Sequence, residues 1–129
     1  MRIKSFFVLA LTMFSCAATA ADWMLLVGDK DMGIFVDMNS LQMKGNIHRA
    51  WFKLTFSPPT PDQEGKLMSY SLIRTSFNCA DQTDRDDSVV IFFSDGTSET
   101  TPAKSTAPWV PIAPESVDET ESKFACNKW

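Results

Sequence analysis

A pair of cysteines, Cys79 and Cys126, limits what this 129-residue chain can fold into more than any other feature. The pair matters because the chain opens on what reads as a secretory signal. Arg2 and Lys4 form a positive n-region, Phe6 to Phe14 an apolar core, and Ala18-Thr19-Ala20 a small-residue cleavage site. An apolar run of about 9 residues is too short to span a bilayer, which needs about 20. Residues 1–20 are therefore expected to be removed, leaving one domain over 21–129. Beyond the inner membrane the compartment is oxidising, and an even pair of cysteines there reads as one disulfide. Closing a loop of about 47 residues stabilises a fold by about 4 kcal/mol in the chain-entropy model. The alternatives are two reduced core cysteines or a redox-active pair, and no C-x-x-C spacing supports the latter. The third cysteine, Cys16, lies within the signal. Phe14, two residues before it, disfavours lipidation, so cleavage after Ala20 discards Cys16; a lipidated Cys16 is the other reading.

Charge narrows the partners. The chain has 12 Lys+Arg against 16 Asp+Glu, a net −4 that becomes −6 once Arg2 and Lys4 are lost. Nucleic-acid affinity comes from clustered Lys and Arg, so a dedicated nucleic-acid binder is not expected. One histidine excludes a His-rich metal centre. No stretch after the signal is long and apolar enough to cross a membrane as a helix, so no transmembrane segment is expected in the mature chain.

The pattern after residue 21 is that of strands. Trp23 to Val27 and Ile34 to Val36 are short apolar runs joined by the turn residues Asp29 to Gly33, a hairpin. Asp37 to Gly45 suits an irregular connection with one helical turn. From Ile47 to Phe56 the chain alternates: Ala50, Phe52, Leu54 and Phe56 on one face, Arg49, Trp51, Lys53 and Thr55 on the other. Pro58, Pro59 and Pro61 are expected to end this strand and open a loop to Lys66. Met68 to Cys79 is the next strand, with Ile73, Thr75, Phe77 and Cys79 on one face. Ala80 to Asp87 reads as a polar connection. Ser88 to Phe93 is apolar on both faces and so expected to be central and covered. Asp95-Gly96 marks a hairpin returning over Thr97 to Thr101, and the proline-rich Pro102 to Pro114 is expected to lie across the sheet without joining it.

The last element is a helix. Ser116 and Glu119 form a capping box, and the acids Asp118, Glu119 and Glu121 suit the positive end of the helix dipole. Val117, Thr120, Phe124 and Cys126 approximate its apolar face. The expected fold is α+β: an antiparallel sheet of five or six strands with one C-terminal helix packed on it and one disulfide.

Enzymatic chemistry finds little purchase. His48 starts the long strand with no nucleophile in a context that would pair with it, and the P-loop, G-x-S-x-G, H-E-x-x-H and Rossmann patterns are absent. Asp81 to Asp87 lacks the order and closing glutamate of a calcium loop, so a solvated hairpin is expected there. Glu115 to Glu121 are read as capping and solvated acids. Neither cofactor nor metal is called for. The face opposite the Phe52 row is more informative. Trp51 and Tyr70 among Arg49, Lys53 and Arg74 have the composition of a protein-binding or self-association surface, unless the Pro102 to Pro114 segment covers them.

The order of short pieces resembles the surface-adhesin protein E family of small exported proteobacterial proteins. The pieces are Ala21-Asp22-Trp23, Ile34-Phe35-Val36-Asp37, Trp51-Phe52-Lys53, Ser76-Phe77-Asn78-Cys79, Ser94-Asp95-Gly96, Trp109-Val110-Pro111, Pro114-Glu115-Ser116 and Cys126. That resemblance implies a six-stranded antiparallel sheet flanked by a C-terminal helix, with the Cys79–Cys126 bond retained. It also implies a non-enzymatic binding protein of the periplasm or outer cell surface, with host extracellular-matrix or plasma proteins as partners and a homodimeric state. The alternative is a periplasmic inhibitor or envelope-stress protein of the small lysozyme-inhibitor type, which stoichiometric inhibition of lysozyme would reveal.

Overall fold

A computed structural model describes residues 20–102 and 107–127; the segment read as an export signal, with Cys16, lies outside the described residues except for Ala20. The strands are β1 (Trp23–Gly28), β2 (Met32–Asp37), β3 (Gln42–Lys44), β4 (Ile47–Pro61), β5 (Leu67–Asn78), β6 (Thr83–Phe93), β7 (Ser98–Thr101) and β8 (Val110–Pro111), followed by helix α1 (Val117–Ala125). They form one antiparallel sheet in the order β1-β2-β4-β5-β6-β7, with β3 added beside β4 and β8 beside β6. The six-strand path and the C-terminal helix are those expected. The two short strands are additions.

Two of the tight hairpins form where aspartates satisfy turn amides. Asp29 accepts from the amides of Asp31 and Met32 at 2.7 and 2.9 Å, and those bonds hold its carboxyl below the usual range. Asp95 accepts from the hydroxyl and amide of Thr97, and Gly96 follows at φ +87°, a conformation that an L side chain would strain.

Four boundaries differ from the sequence reading. β4 does not stop at Phe56 but runs to Pro61. A register break between Thr55 and Thr60 keeps Pro58 and Pro59 out of the ladder, and pairing resumes at Thr60 with Met68 and Pro61 with Leu67. The Ser57–Pro58 peptide is cis, and the Ser57 amide donates to the Asp31 carbonyl. β6 starts at Thr83, five residues before the apolar run, because the polar stretch pairs with β5. Val110–Pro111 joins the sheet against Thr83 and Asp84, so the proline-rich segment does not merely lie across it; residues 103–106 of that segment lie outside the described residues. Gln42–Lys44, read as irregular, is a strand following a 3-10 turn at Met38–Ser40.

The core lies on one face, under α1. Val36, Ala50, Phe52, Phe77 and Ala125 are buried together, and Phe52 meets Phe77 edge to face at 5.9 Å. Phe124, Cys79 and Cys126 pack around them, and the Cys79–Cys126 disulfide joins the end of β5 to the end of α1, with Cα atoms 5.7 Å apart. β6 is less covered than its sequence suggests: in its apolar run Val89 to Phe92 are half-buried, and only Phe93 is buried. A nine-residue helix is about 14 Å long; it packs on β1 and β4 and meets β6 near Asp84, so the distal half of that strand lies beyond its reach.

Phe124 and Cys126 of the expected face pack on the core, but the most deeply buried positions of the helix are others. Its buried residues are Glu121 and Ala125, so Glu121 is not a solvated acid. The Ser116 hydroxyl accepts from the Glu119 amide at 3.1 Å, while Glu119 reaches one residue further back, accepting from the Glu115 amide at 3.3 Å. Ser116→Ala should cost about 1 kcal/mol, read as a lowered denaturation midpoint with the slope unchanged.

Candidate functional site

The sheet face turned away from α1 follows from β-strand periodicity and observed register. Residues opposite one another on paired strands point to the same side. Trp51 pairs with Arg74, Lys53 with Leu72, Thr55 with Tyr70 and Arg49 with Ser76. The five residues singled out from the sequence, Arg49, Trp51, Lys53, Tyr70 and Arg74, therefore share this one face. Cross-strand pairs extend it: Lys53 with Phe35 on β2, Phe35 with Leu25 on β1, and Tyr70 with Phe92 on β6.

Each of these side chains has a defined setting. The Lys53 ammonium lies 4.6 Å from the Trp23 ring centroid and 5.3 Å from that of Phe35, a cation held between two aromatic rings. Gly33 makes the Phe35 position possible, since an added Cβ would fall 2.7 Å from Phe35 Cε2. Tyr70 stacks on Phe92 at 4.4 Å, nearly parallel. Trp51, Tyr70 and Arg74 are half-buried, and Leu25 at the β1 edge is 55% exposed. The proline-rich segment reaches this face at Trp109, whose ring lies 4.7 Å from the Arg85 guanidinium.

Arg49 has a mainly structural setting. Its Nε lies 3.2 Å from Asp87, which Arg85 also approaches at 3.4 Å, and the fully buried Ser76 hydroxyl donates a short bond to the same carboxylate. A carboxylate flanked by two guanidiniums and a hydroxyl fixes the β4–β5–β6 end of the face. The chain is acidic in total, yet this face carries Arg49, Lys53, Arg74 and Arg85. Clustering of cations on one surface permits steering of an acidic partner that net charge alone would not suggest.

The opposite face holds buried acid. Asp84 on β6 is pushed up to about 7 by burial first, then by Asp118 and Asp86. Glu121 on α1 is pushed up to about 9, again by burial first, then by Asp118, Asp86 and Asp84. Asp118 is raised too, by burial and by Asp86. Asp84 thus lies in a strand under the helix, not in a solvated hairpin. His48 ends up beside the helix terminus, its Nδ1 2.6 Å from the Ala125 carbonyl.

Trp23, Phe35, Leu72 and Phe92 were not singled out as parts of the site. Each carried a usable signal, an aromatic or branched residue at an alternate strand position. Only the register of β1, β2 and β6 aligns them with Trp51.

One antiparallel sheet, latched to a single helix by a disulfide and carrying aromatic and cationic side chains on its helix-free face, defines a small α+β domain built around one sheet surface. The chain belongs to the surface-adhesin protein E family, whose model matches residues 23–127. Its fold is similar to the crystal structure of protein E from non-typeable Haemophilus influenzae, with a TM-score of 0.54 over 86% of this chain and 79% of that one. Identity between the two is 11%, so the likeness is one of fold. No curated protein matches the sequence.

Proposed function

We propose that this is an exported, non-enzymatic binding protein of the adhesin type, which docks a host extracellular-matrix or plasma protein on the helix-free sheet face. The observation that carries this reading is the convergence of Trp51, Tyr70, Lys53 and Arg74 from two paired strands. Aromatic and arginine side chains on a preformed surface are what protein interfaces enrich at their centres. Family membership and the fold shared with protein E support the same reading. Among the described residues no helix is long and apolar enough to cross a membrane.

The purified protein should bind one or more members of a panel of immobilised matrix and plasma proteins with saturation. Trp51→Ala and Arg74→Ala should each weaken that binding by about tenfold or more, with thermal unfolding little changed. Flat curves across the panel, or unaltered binding by both variants, would overturn the assignment of this face. Protease shaving of intact cells tests exposure: release of fragments supports a surface adhesin, and protection counts against one. Sedimentation at several concentrations decides whether a second copy shares the face.

A further inference from the structure

The disulfide does not stand alone. A ring nitrogen of His48 and the sulfurs of Cys79 and Cys126 all lie within 4.8 Å of one another. Two thiolates and an imidazole are a three-ligand set that zinc accepts with a water in its open fourth position, where Zn–S is about 2.3 Å and Zn–N about 2.0 Å. Those lengths place tetrahedral ligand atoms under about 4 Å apart, so modest side-chain rotations convert the present spacing into a coordinating one.

Three features around the triad bear on metal binding. The Ala125 carbonyl has no proton, so the 2.6 Å contact with His48 requires Nδ1–H to donate, which leaves the lone pair of the neutral ring on Nε2. A histidine whose second nitrogen is held by a backbone carbonyl is the usual arrangement at zinc. Cys126 caps the C-terminal end of α1, where the helix dipole is negative and favours positive charge. A cleft of about 390 Å³ lined by Cys79, Cys126, Asn78 and Lys123 opens beside the sulfurs and offers room for a reductant and for a water as fourth ligand.

We propose that His48, Cys79 and Cys126 form a redox-gated zinc site, closed while the disulfide is intact and opened when a dithiol reduces it. In the opening step a dithiol thiolate attacks one sulfur of the disulfide. Two electrons pass to the Cys79 and Cys126 sulfurs, and the dithiol closes into its own disulfide. Zn²⁺ then binds the two thiols and His48, releasing two protons. The metal takes over from the covalent bond in fastening α1 to the sheet.

Cobalt(II) is a suitable probe, because thiolate ligation gives a near-ultraviolet charge-transfer band and tetrahedral geometry intense visible bands. The protein reduced under anaerobic conditions should bind one equivalent of Co²⁺ with both signatures, and Zn²⁺ should displace it. The oxidised protein should show neither. His48→Ala, reduced in the same way, should bind Co²⁺ at least about tenfold more weakly and shift the visible bands. Retention of the α1 helical signal on adding Zn²⁺ to reduced protein reports the fastening independently. Absence of the charge-transfer band in reduced wild type would overturn the proposal. Equal Co²⁺ affinity and spectra in His48→Ala would do so too, since flexible cysteines alone would then be the ligands.

Discussion

Replacing both Cys79 and Cys126 by serine is expected to lower the unfolding free energy by about 4 kcal/mol. The bond spans 47 residues and ties the end of β5 to the end of α1. Without it the unfolded chain regains the entropy of an open loop, and the folded chain keeps only the noncovalent docking of a nine-residue helix. A helix of that length does not persist alone in water. Its remaining anchors are Ala125 and Phe124 against the Phe52–Phe77 core, and the His48 contact to the Ala125 carbonyl. Denaturant titration of the double-serine variant, metal-free, should show the lower midpoint together with early loss of helical signal. An unchanged midpoint would mean that packing alone secures α1. If both sulfurs of the exported wild-type protein could be alkylated without reductant, the covalent latch itself would be refuted.

The second large effect is on pH dependence. Asp84 of β6 and Glu121 of α1 are both buried, and Asp118 of α1 and Asp86 of β6 add negative charge around each of them. Both carboxyls bind protons more tightly in the fold than in the unfolded chain, so their folded pKa values are raised. Below about pH 4 both states carry the proton and the groups cost nothing. As pH rises from about 4 the unfolded chain ionises while the fold does not, and stability falls. The decline continues through about 7 for Asp84 and about 9 for Glu121, and levels off above that. Glu121 is 2% exposed, and its Oε1 is buried without a hydrogen-bond partner among the described residues. Glu121→Gln removes the charge at constant shape and should raise stability at pH 8 by about 2 kcal/mol or more. It should also flatten the pH profile between 5 and 9. A variant no more stable than wild type at pH 8 would show that the Glu121 carboxyl is not desolvated by the helix contact.

Much of this molecule was legible from residue order. The alternation Ala50, Phe52, Leu54 against Arg49, Trp51, Lys53 fixes the two faces of β4 before any partner is known, because the strand period is two. Asp29 and Asp95 announce their hairpins because a short carboxylate next to a turn can satisfy amides locally. What failed did so for nonlocal reasons. The prolines after Ser57 signal the end of a strand, yet β4 continues because β5 resumes pairing at Met68 beyond the break. Thr83 to Asp87 looks like a solvated connection because its side chains are polar, yet β5 on one side and β8 near its start supply the ladder. Glu121 looks like a helix-surface acid, because helical spacing gives the faces of α1 but not which of them meets the sheet.

The candidate face shows the same division. Arg49, Trp51, Lys53, Tyr70 and Arg74 could be named from alternation within two strands. Alternation could not say that Trp23 and Phe35 bracket Lys53, that Phe92 stacks on Tyr70, or that Arg49 is tied to Asp87. Residue order by itself determined the six main strands to within their ends, the two faces of β4, the paired cysteines and the terminal helix, since each is written in spacing a few residues long. Tertiary structure alone decided the register between strands, the stripe of α1 that is buried, and the meeting of His48 with the disulfide. Those depend on contacts between residues tens of positions apart, which are chosen by the packing of whole elements and leave no local trace.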